Sequence, residues 1–301
     1  MDNEGGGWQA PVNAKNGVDG MVEEFVGKNS VWETTKVDPA VRRKLQLIKD
    51  LQGAQKRGEM HIAYQPKINP YKQQIVGMEA LVRWEHPVYG RISPDEFIPF
   101  AERTGTIIPL GSWVIRMACL QLKKWHSAGH SQLHMAINLS AYQLQVEGFV
   151  ENVSQILQEL ELSANFLQFE VTESADIYYN QIGIKRLHEL KRLGIQIYMD
   201  DFGIGYSALS CLQRMPVDGI KIDRALTKQL GKDSVYQMMK AMIQLAQGLR
   251  LKVVVEGVDS DEKMSILKKW HVHEVQGFLF SQPFPPDELT QLLDQIGGDE
   301  G

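Results

Sequence analysis

Short apolar runs alternate with longer amphipathic segments along most of the chain. The runs have the length and the β-branched or aromatic content of strands, whereas the intervening segments repeat apolar residues at helical spacing. Eight strands are predicted: His61 to Ile68, Ile75 to Trp84, His134 to Leu139, Leu167 to Thr172, Gln196 to Asp200, Gly219 to Ile222, Lys252 to Glu256 and Glu274 to Phe280. Eight strands alternating with helices is the composition of a closed α/β barrel.

The helical patterns fill the remaining segments. They are predicted at Val41 to Arg57, Pro94 to Arg103, Leu110 to Ala128, Leu144 to Leu160, Asn180 to Leu193, Arg224 to Leu249, Asp261 to Trp270 and Asp287 to Ile296. Ser93 and Glu96 have the spacing of a capping box at the start of the second helix.

The first two strands are joined by a segment of only six residues, Asn69 to Gln74. This segment is too short for the crossover helix that parallel neighbours need, so the first strand is predicted to be antiparallel to the second. The predicted fold is therefore a modified (β/α)₈ barrel resembling a TIM barrel.

Acidic or amide residues follow several strands at the point where each strand ends. Asp200 and Asp201 stand side by side after an apolar run and before a glycine-rich turn. Two adjacent carboxylates raise the cost of ionising each other unless a cation lies between them. The same pattern places Glu79, Asn138, Glu170 and Glu256 at strand ends.

Taken singly, each of these acids could be a solvated residue at a strand end. Together they supply hard oxygen ligands at the carboxyl edge of the strands, where barrel active sites lie. The sequence has no Cys/His cluster and no H-E-x-x-H helix that would point to zinc, so Mg²⁺ or Mn²⁺ is the predicted metal.

The composition is that of an ordinary globular protein, with 43% hydrophobic and 23% charged residues in a chain of 301. A net charge of −5 argues against binding to a nucleic acid polymer. Two cysteines do not make a disulfide framework, and no apolar stretch reads as a signal or a membrane span, so the expected location is the cytoplasm.

Residues 1–38 differ from the rest because they begin with a polar, glycine-rich stretch and show no sustained period. They are interpreted as a linker or a disordered lead, or as the remnant of an upstream domain. Residues 39–301 are predicted to form the barrel.

An ordered set of motifs resembles the EAL domains, which are cyclic di-GMP phosphodiesterases. The motifs are Tyr64-Gln65-Pro66, Glu79-Ala80-Leu81-Val82-Arg83-Trp84, Asn138-Leu139-Ser140, Glu170-Val171-Thr172-Glu173-Ser174, Asp200-Asp201-Phe202-Gly203, Lys221-Ile222-Asp223-Arg224, Val255-Glu256-Gly257-Val258 and Gln276-Gly277-Phe278. The tripeptide Glu-Ala-Leu alone is common, but the ordered set is specific. The resemblance extends from about Leu45 to the C-terminus.

The resemblance implies two divalent cations, Mg²⁺ or Mn²⁺, with Ca²⁺ inhibitory. Glu79, Asn138, Glu170 and Asp200 would hold one ion, and Asp200, Asp201 and Glu256 would hold the other. Two such ions activate water and neutralise the charge that builds on a phosphoryl group. Lys221 would orient or deprotonate the water, although a salt bridge to Asp223 is an alternative role.

The resemblance also implies residues that bind cyclic di-GMP. These are Gln65, Leu81 and Arg83, together with Gln276 as a partner to metal-bound waters; Gln65 and Arg83 taken alone could be surface groups. Glu173 would anchor the loop after Asp201, unless it is a plain exposed residue. That loop and the adjacent helix would form a homodimer interface.

Three positions depart from the family pattern. Ile204 stands where Thr is usual, Ala208 replaces a common Ser, and Asp259 replaces a Glu. The first two remove hydroxyl groups from the loop, and the third shortens a carboxylate near the second ion. None is one of the six predicted ligands, so an active enzyme is expected. The alternatives are a catalytically silent receptor of cyclic di-GMP and an interaction domain that keeps only the fold.

Overall fold

The computed structural model describes residues 38–172, 181–204 and 208–298. The chain divides into two compact units. The smaller contains the described residues up to 61 together with 83–110, and the larger contains 62–82 and the residues from 111 onward.

The described chain has nine strands. They are β1 Met60–Asn69, β2 Gln74–His86, β3 Gly90–Ile92, β4 His134–Asn138, β5 Leu167–Thr172, β6 Gln196–Phe202, β7 Gly219–Ile222, β8 Lys252–Val255 and β9 Glu274–Val275. The predicted eighth strand was too long, because the chain leaves the sheet after Val275 and enters a turn.

The sheet closes on itself. The strand order is β1-β9-β8-β7-β6-β5-β4-β2-β3, and β1 also pairs with β2, so every strand except β3 belongs to an eight-stranded barrel. Neighbouring strands from β2 through β4 to β9 are parallel, whereas β1 is antiparallel to β9, with Ile68 opposite Val275. The predicted barrel with an antiparallel first strand is confirmed.

The helices of the described chain lie between the strands. They are α1 Pro39–Leu51, α2 Pro94–Thr104, α3 Ile107–Ser127, α4 Ala141–Leu144, α5 Phe149–Glu159, α6 Gln181–Leu193, α7 Ala208–Arg214, α8 Arg224–Thr227, α9 Asp233–Gly248, α10 Asp261–Lys269 and α11 Pro286–Gly298. None of the described helices is long and apolar enough to cross a membrane.

Several predicted helices were too long. The one expected from Val41 ends at Leu51, and Gly53 shortly afterwards adopts a φ of 83° that a helix cannot contain. The helix expected over 144–160 begins only at Phe149, after the separate short helix α4, and the one expected over 224–249 is broken into α8 and α9, while α7 was not predicted. Turn-forming residues between the pieces outweigh the helical periodicity.

The smaller unit is organised around Trp84. Its ring packs edge-on against Phe97, with 5.7 Å between the ring centroids, and its indole Nε1 donates to Glu59 Oε2 at 3.0 Å. The predicted capping box at Ser93 is wrong, because the Ser93 side chain makes no capping bond and Glu96 instead pairs with Arg43. The short strand β3, which was also not predicted, pairs with β2 here.

The larger unit encloses the barrel interior. Its strands bury apolar side chains such as Met78, Met135, Phe169, Ile197 and Val254, each at most 1% exposed. Because parallel strands are covered by helices on their outer side, they read as continuous apolar runs. At the carboxyl ends of these strands the side chains are polar, and the closed barrel brings them together at one rim.

Candidate functional site

The predicted ligand residues lie at the carboxyl ends of successive barrel strands. Glu79 is on β2, Asn138 ends β4, Glu170 is on β5, Asp200 is on β6, Lys221 is on β7, and Glu256 and Gln276 directly follow β8 and β9. The parallel register places Asn138 opposite Glu170. The structure thus brings together side chains that are up to 197 residues apart in sequence.

Lys221 lies at the centre of this group. Its Nζ is 2.7 Å from a carboxylate oxygen of Glu170, 2.7 Å from one of Glu256 and 3.1 Å from one of Glu79. Asp200 Oδ1 is 3.7 Å away. Lys221 is 1% exposed, so these carboxylates replace the water that a surface ammonium group would bind. Asp223 does not form the alternative salt bridge and instead accepts from the backbone N–H of Ala225 at the start of α8.

Lys67 is a second buried cation at the site, and the sequence analysis did not identify it. Its Nζ donates to Glu170 Oε1 at 2.5 Å, and the residue has no exposed surface. Gln168 donates to the same oxygen at 3.1 Å. The available signal was strand alternation, because Gln65 and Lys67 are two residues apart and therefore share one face of β1.

Amide side chains support the carboxylates. Asn138 Nδ2 donates to Glu79 Oε1 at 2.8 Å, and Gln276 Nε2 donates to Glu79 Oε2 and to Gln65 Oε1, each at 2.7 Å. Gln65 in turn donates to the backbone oxygen of Ser281 at 3.1 Å. Gln276 Oε1 is buried and has no hydrogen-bond donor among the described residues, so it remains able to accept one.

The two lysines determine the ionisation of Glu170. Burial alone would raise the pKa of Glu170, but the charges of Lys221 and Lys67 lower that pKa to about 2. The carboxylates in turn shift the pKa of Lys221. Burial would lower the pKa of Lys221, but the surrounding carboxylates hold it well above its ordinary value. Both groups are charged at neutral pH.

Asp200 and Glu256 behave in the opposite way. Burial is the main cause that raises the pKa of Asp200 well above its ordinary value; the charge of Lys221 opposes this shift, and the charges of Glu170, Glu256 and Glu79 add to it. Burial and nearby carboxylates raise the pKa of Glu256 as well. Four carboxyl groups face only two ammonium groups, so full ionisation would leave two negative charges uncompensated.

The donor set and its charge fit divalent cations. The donors are carboxylate and amide oxygens, which hard cations prefer, and a divalent cation would balance the excess charge. In the described residues, no three His, Cys, Asp or Glu side chains form a ready-made ligand set. The position of Lys221 accounts for this, since the carboxylates converge on its ammonium group. A cation could therefore bind only after these carboxylate side chains had rotated away from Lys221.

Asp201 is set apart from the other acids. It follows Asp200 with a φ of 55°, a left-handed conformation that Asp tolerates better than most residues, and its N–H donates to Asp200 Oδ1 at 2.9 Å. Partial burial of its carboxyl group and the neighbouring Asp223 raise its pKa. The structure brings it next to the cluster without a direct contact to Lys221 among the described ion pairs.

The predicted substrate residues are divided between the two units. Gln65, Leu81 and Gln276 belong to the larger unit. Arg83, four residues after Glu79 on β2, belongs to the smaller unit, where it is half-buried.

The remaining predicted positions are Glu173 and the three departures from the family pattern. Glu173 falls outside the described residues, as do residues 205–207 of the loop that it was expected to anchor. Ile204 is 55% exposed, and Ala208 begins α7. Asp259 points to Lys263, with 2.8 Å between Oδ1 and Nζ, and makes no described contact with the acids.

Comparisons with known proteins assign the family. The sequence profile described as the EAL domain matches residues 48–283. Two relatives are MucR of Pseudomonas aeruginosa, a bifunctional diguanylate cyclase/cyclic di-GMP phosphodiesterase, and the cyclic di-GMP phosphodiesterase PdeR of Escherichia coli. The chain is 38% identical to each, over 82% and 84% of its own length but only 36% and 38% of theirs. It therefore spans about a third of these relatives.

Solved structures agree. PaMucR phosphodiesterase in its complex with c-di-GMP is 39% identical, with a TM-score of 0.77, and the match covers 81% of this chain and 100% of that one. The EAL enzyme Bd1971 in its cAMP-bound form is 29% identical, with a TM-score of 0.80, over 84% and 71% of the two chains. The chain belongs to the EAL domain family.

Proposed function

We propose that this chain hydrolyses cyclic di-GMP to linear 5′-pGpG in a reaction that depends on divalent cations. The observation that carries the proposal is the group of four buried carboxylates around Lys221, whose negative charge exceeds the charge of the two lysines. Two relatives and a solved structure that carry the phosphodiesterase name support the choice of substrate.

The residues that would hold the cations are the ligands named from the sequence: Glu79, Asn138, Glu170, Asp200, Asp201 and Glu256. Mg²⁺ and Mn²⁺ suit these oxygens, whereas Ca²⁺ prefers longer bonds and higher coordination and should inhibit. When bound, such ions activate water and neutralise the charge that develops on the phosphoryl oxygens.

Lys221 is assigned to orient the attacking water. Its surroundings raise its pKa, so its ammonium group is a hydrogen-bond donor at neutral pH and does not take a proton in this arrangement. The water oxygen adds to phosphorus in line with the departing sugar oxygen. The P–O3′ bond breaks, the phosphate stays on the 5′ carbon, and the O3′ atom receives a proton.

The remaining residues would bind the dinucleotide. Arg83 has the planar fork that suits a phosphate, and Leu81 lies two residues before it on the same strand. Gln65 and Gln276 are held together by their own hydrogen bond, and Gln276 Oε1 is free to accept from a ligand. These residues position the substrate and do not enter the reaction.

Two further expectations complete the proposal. The exposed side chain of Ile204, three residues after Asp201, supports an interface between two copies of this chain through that loop and α7, with Glu173 anchoring the loop. The thiols of Cys119 and Cys211 are buried and belong to no disulfide, which suits the reducing cytoplasm, where we place the activity.

The test is to incubate the purified chain with cyclic di-GMP and Mg²⁺, Mn²⁺ or Ca²⁺ and to separate the products. We expect 5′-pGpG with the first two metals only. The companion variant Asp200→Asn should yield no product yet retain measurable, weaker binding in calorimetry. Wild type that binds the dinucleotide but never yields pGpG, with any of these metals, would instead establish the silent receptor.

A further inference from the structure

Lys67 is a buried cation to which the proposed reaction assigns no role. It has no exposed surface, and among the ion pairs of the described residues it contacts Glu170 alone. Its ammonium group also lies over the ring of Tyr198, with 5.8 Å between Nζ and the ring centroid. Burying a lysine is costly unless its charge is paired, so its place in the barrel calls for an explanation.

Lys67 reaches the acid cluster from inside the barrel. Strand β1 is antiparallel to β9, so it runs from the rim of the site into the interior. Lys67 comes two residues after Gln65 and therefore lies on the same face, one layer deeper. Gln168, two residues before Glu170 on β5, belongs to that deeper layer as well. Both side chains approach Glu170 from the side away from the rim.

The two carboxylate oxygens of Glu170 consequently have different partners. Oε1 accepts from Lys67 Nζ at 2.5 Å and from Gln168 Nε2 at 3.1 Å. Oε2 accepts from Lys221 Nζ at 2.7 Å. When the carboxylates leave Lys221 to bind a cation, Oε2 loses its partner, whereas Oε1 keeps both of its own. Glu170 thus has one oxygen held by the barrel and one oxygen available.

We propose that Lys67, together with Gln168, restricts Glu170 to coordination through one oxygen and thereby makes the site discriminate against Ca²⁺. The inference rests on the proposed function and adds to it a residue that determines which cation is selected. Mg²⁺ prefers an octahedron of single oxygens, whereas Ca²⁺ takes more ligands and often binds both oxygens of one carboxylate. A carboxylate with one oxygen already held suits the smaller ion. Lys67 is a positioning residue, since it acts through Glu170.

Calorimetric titration of the chain with Mn²⁺ or Ca²⁺, without substrate, measures this discrimination as the ratio of the Kd for Ca²⁺ to the Kd for Mn²⁺. Lys67→Met keeps the length of the side chain but loses the donor, so the ratio should fall about 10-fold. Gln168→Leu removes the other donor to Oε1 without a change of charge, so the ratio should fall about 3-fold. Because both cations are divalent, a change in the net charge of the site alters the two Kd values alike and cancels in the ratio.

Glu274→Gln is the matched control. Glu274 is a buried acid of the same barrel, but its carboxylate faces His134 at the opposite end of the strands. The variant removes a buried charge and leaves the partners of Glu170 in place, so it should keep the wild-type ratio within about 2-fold. Thermal unfolding checks the fold of each variant. Gln168→Leu keeps both lysines and decides the question by itself if Lys67→Met does not fold.

Infrared difference spectra report the mode of coordination directly. The asymmetric stretch of a carboxylate moves to lower frequency when both of its oxygens bind one cation. Addition of Ca²⁺ should therefore produce a stronger low-frequency band in Lys67→Met and Gln168→Leu than in wild type. The Mn²⁺ spectra of the three proteins should agree.

The outcomes separate this inference from the proposed function. A folded Lys67→Met protein with the wild-type ratio would overturn the inference and leave the proposed function intact, and so would a ratio that falls equally in Glu274→Gln. If Lys67→Met does not fold, the wild-type ratio in Gln168→Leu would have the same meaning. Wild type that binds neither cation would overturn both.

Discussion

The larger unit buries ionic groups at both ends of its strands, and the two groups differ in their balance of charge. At the carboxyl ends, four carboxylates face Lys221 and Lys67. At the amino ends, Glu274 begins β9 and faces His134, which begins β4, with 3.4 Å between Oε2 and Nε2. At the amino ends, therefore, one acidic side chain faces one basic side chain, without an excess of acidic groups.

The pKa values reflect this difference. Burial would raise the pKa of Glu274, but His134 and the nearby lysines lower it to about 2. Glu170, held between two lysines, also has a pKa of about 2. By contrast, the pKa values of Asp200, Asp201 and Glu256 are raised. All of these carboxyl groups are at least partly buried, so the local balance of charge, and not burial alone, sets the direction of the shift, and the unbalanced group is the one proposed to bind cations.

The largest expected effect comes from neutralising Glu79. Glu79→Gln keeps the shape but removes a charged ligand, so turnover with Mg²⁺ should fall about 10³-fold or more. Because the cluster carries excess negative charge, the free energy of unfolding without metal should stay equal or increase. Product formation and denaturant unfolding measure the two effects. Rates like those of wild type would remove Glu79 from the site.

The next effect separates chemistry from binding. Lys221→Met should lower kcat about 10²-fold with little change in the Kd for cyclic di-GMP, because an oriented water is lost but the substrate contacts are not. Arg83→Ala should show the reverse pattern. Turnover assays and calorimetry on both variants measure kcat and the Kd separately. A Lys221→Met protein that keeps its kcat but loses binding would show that Lys221 binds the substrate.

The ends of the strands could be predicted from the sequence, because each apolar run stops at an acidic or amide residue. In a parallel barrel, such residues gather at the carboxyl ends of the strands. On that basis Glu79, Asn138, Glu170 and Asp200 were predicted to lie together, and the structure brings each into contact with another of them or with Lys221; their role as metal ligands stays a prediction. Their mutual hydrogen bonds, and the central position of Lys221, depend on side-chain packing that no local pattern encodes.

Lys67 and Glu274 were not predicted as buried ionic residues for a related reason. A single Lys or Glu in a strand is usually a solvated residue. Only the closed barrel places Lys67 against Glu170 and Glu274 near His134. The late start of the helix predicted over 144–160 and the break in the one predicted over 224–249 depend likewise on turn conformations that periodicity does not record.

Glu274→Gln is the matched test of the balanced pair, with the same chemical change as at Glu79. We expect the free energy of unfolding to fall by about 1–3 kcal/mol, since a buried partner of His134 loses its charge. The value of kcat/KM should remain within about 3-fold of wild type. Urea unfolding and turnover assays measure both. A large loss of turnover without a loss of stability would contradict the division between the two ends.

The acid dependence of stability should follow from the same pair. A carboxyl group with a folded pKa of about 2 and an ordinary value of 4.5 stabilises the fold above pH 4.5, and this contribution is lost as the pH falls toward 2. The stability difference between wild type and Glu274→Gln should thus shrink by up to about 1.4 kcal/mol per pH unit below 4.5. Urea unfolding at pH 7, 4.5 and 3.5 measures it, and a constant difference would show that Glu274 is not the titrating group.

The smallest effect is expected at Asp259, the departure from the family pattern that was predicted to lie near the second ion. Its carboxylate is half exposed and pairs with Lys263, four residues further on. Pairs of this kind contribute less than about 1 kcal/mol, so Asp259→Ala should change the free energy of unfolding by about 0.5 kcal/mol or less and turnover by less than about 2-fold. Asp259→Glu restores the usual family residue and serves as the sensitive control. If that variant raised kcat about 10-fold, the Asp at this position would limit the wild-type site, and the cation-binding region would extend beyond the four carboxylates around Lys221.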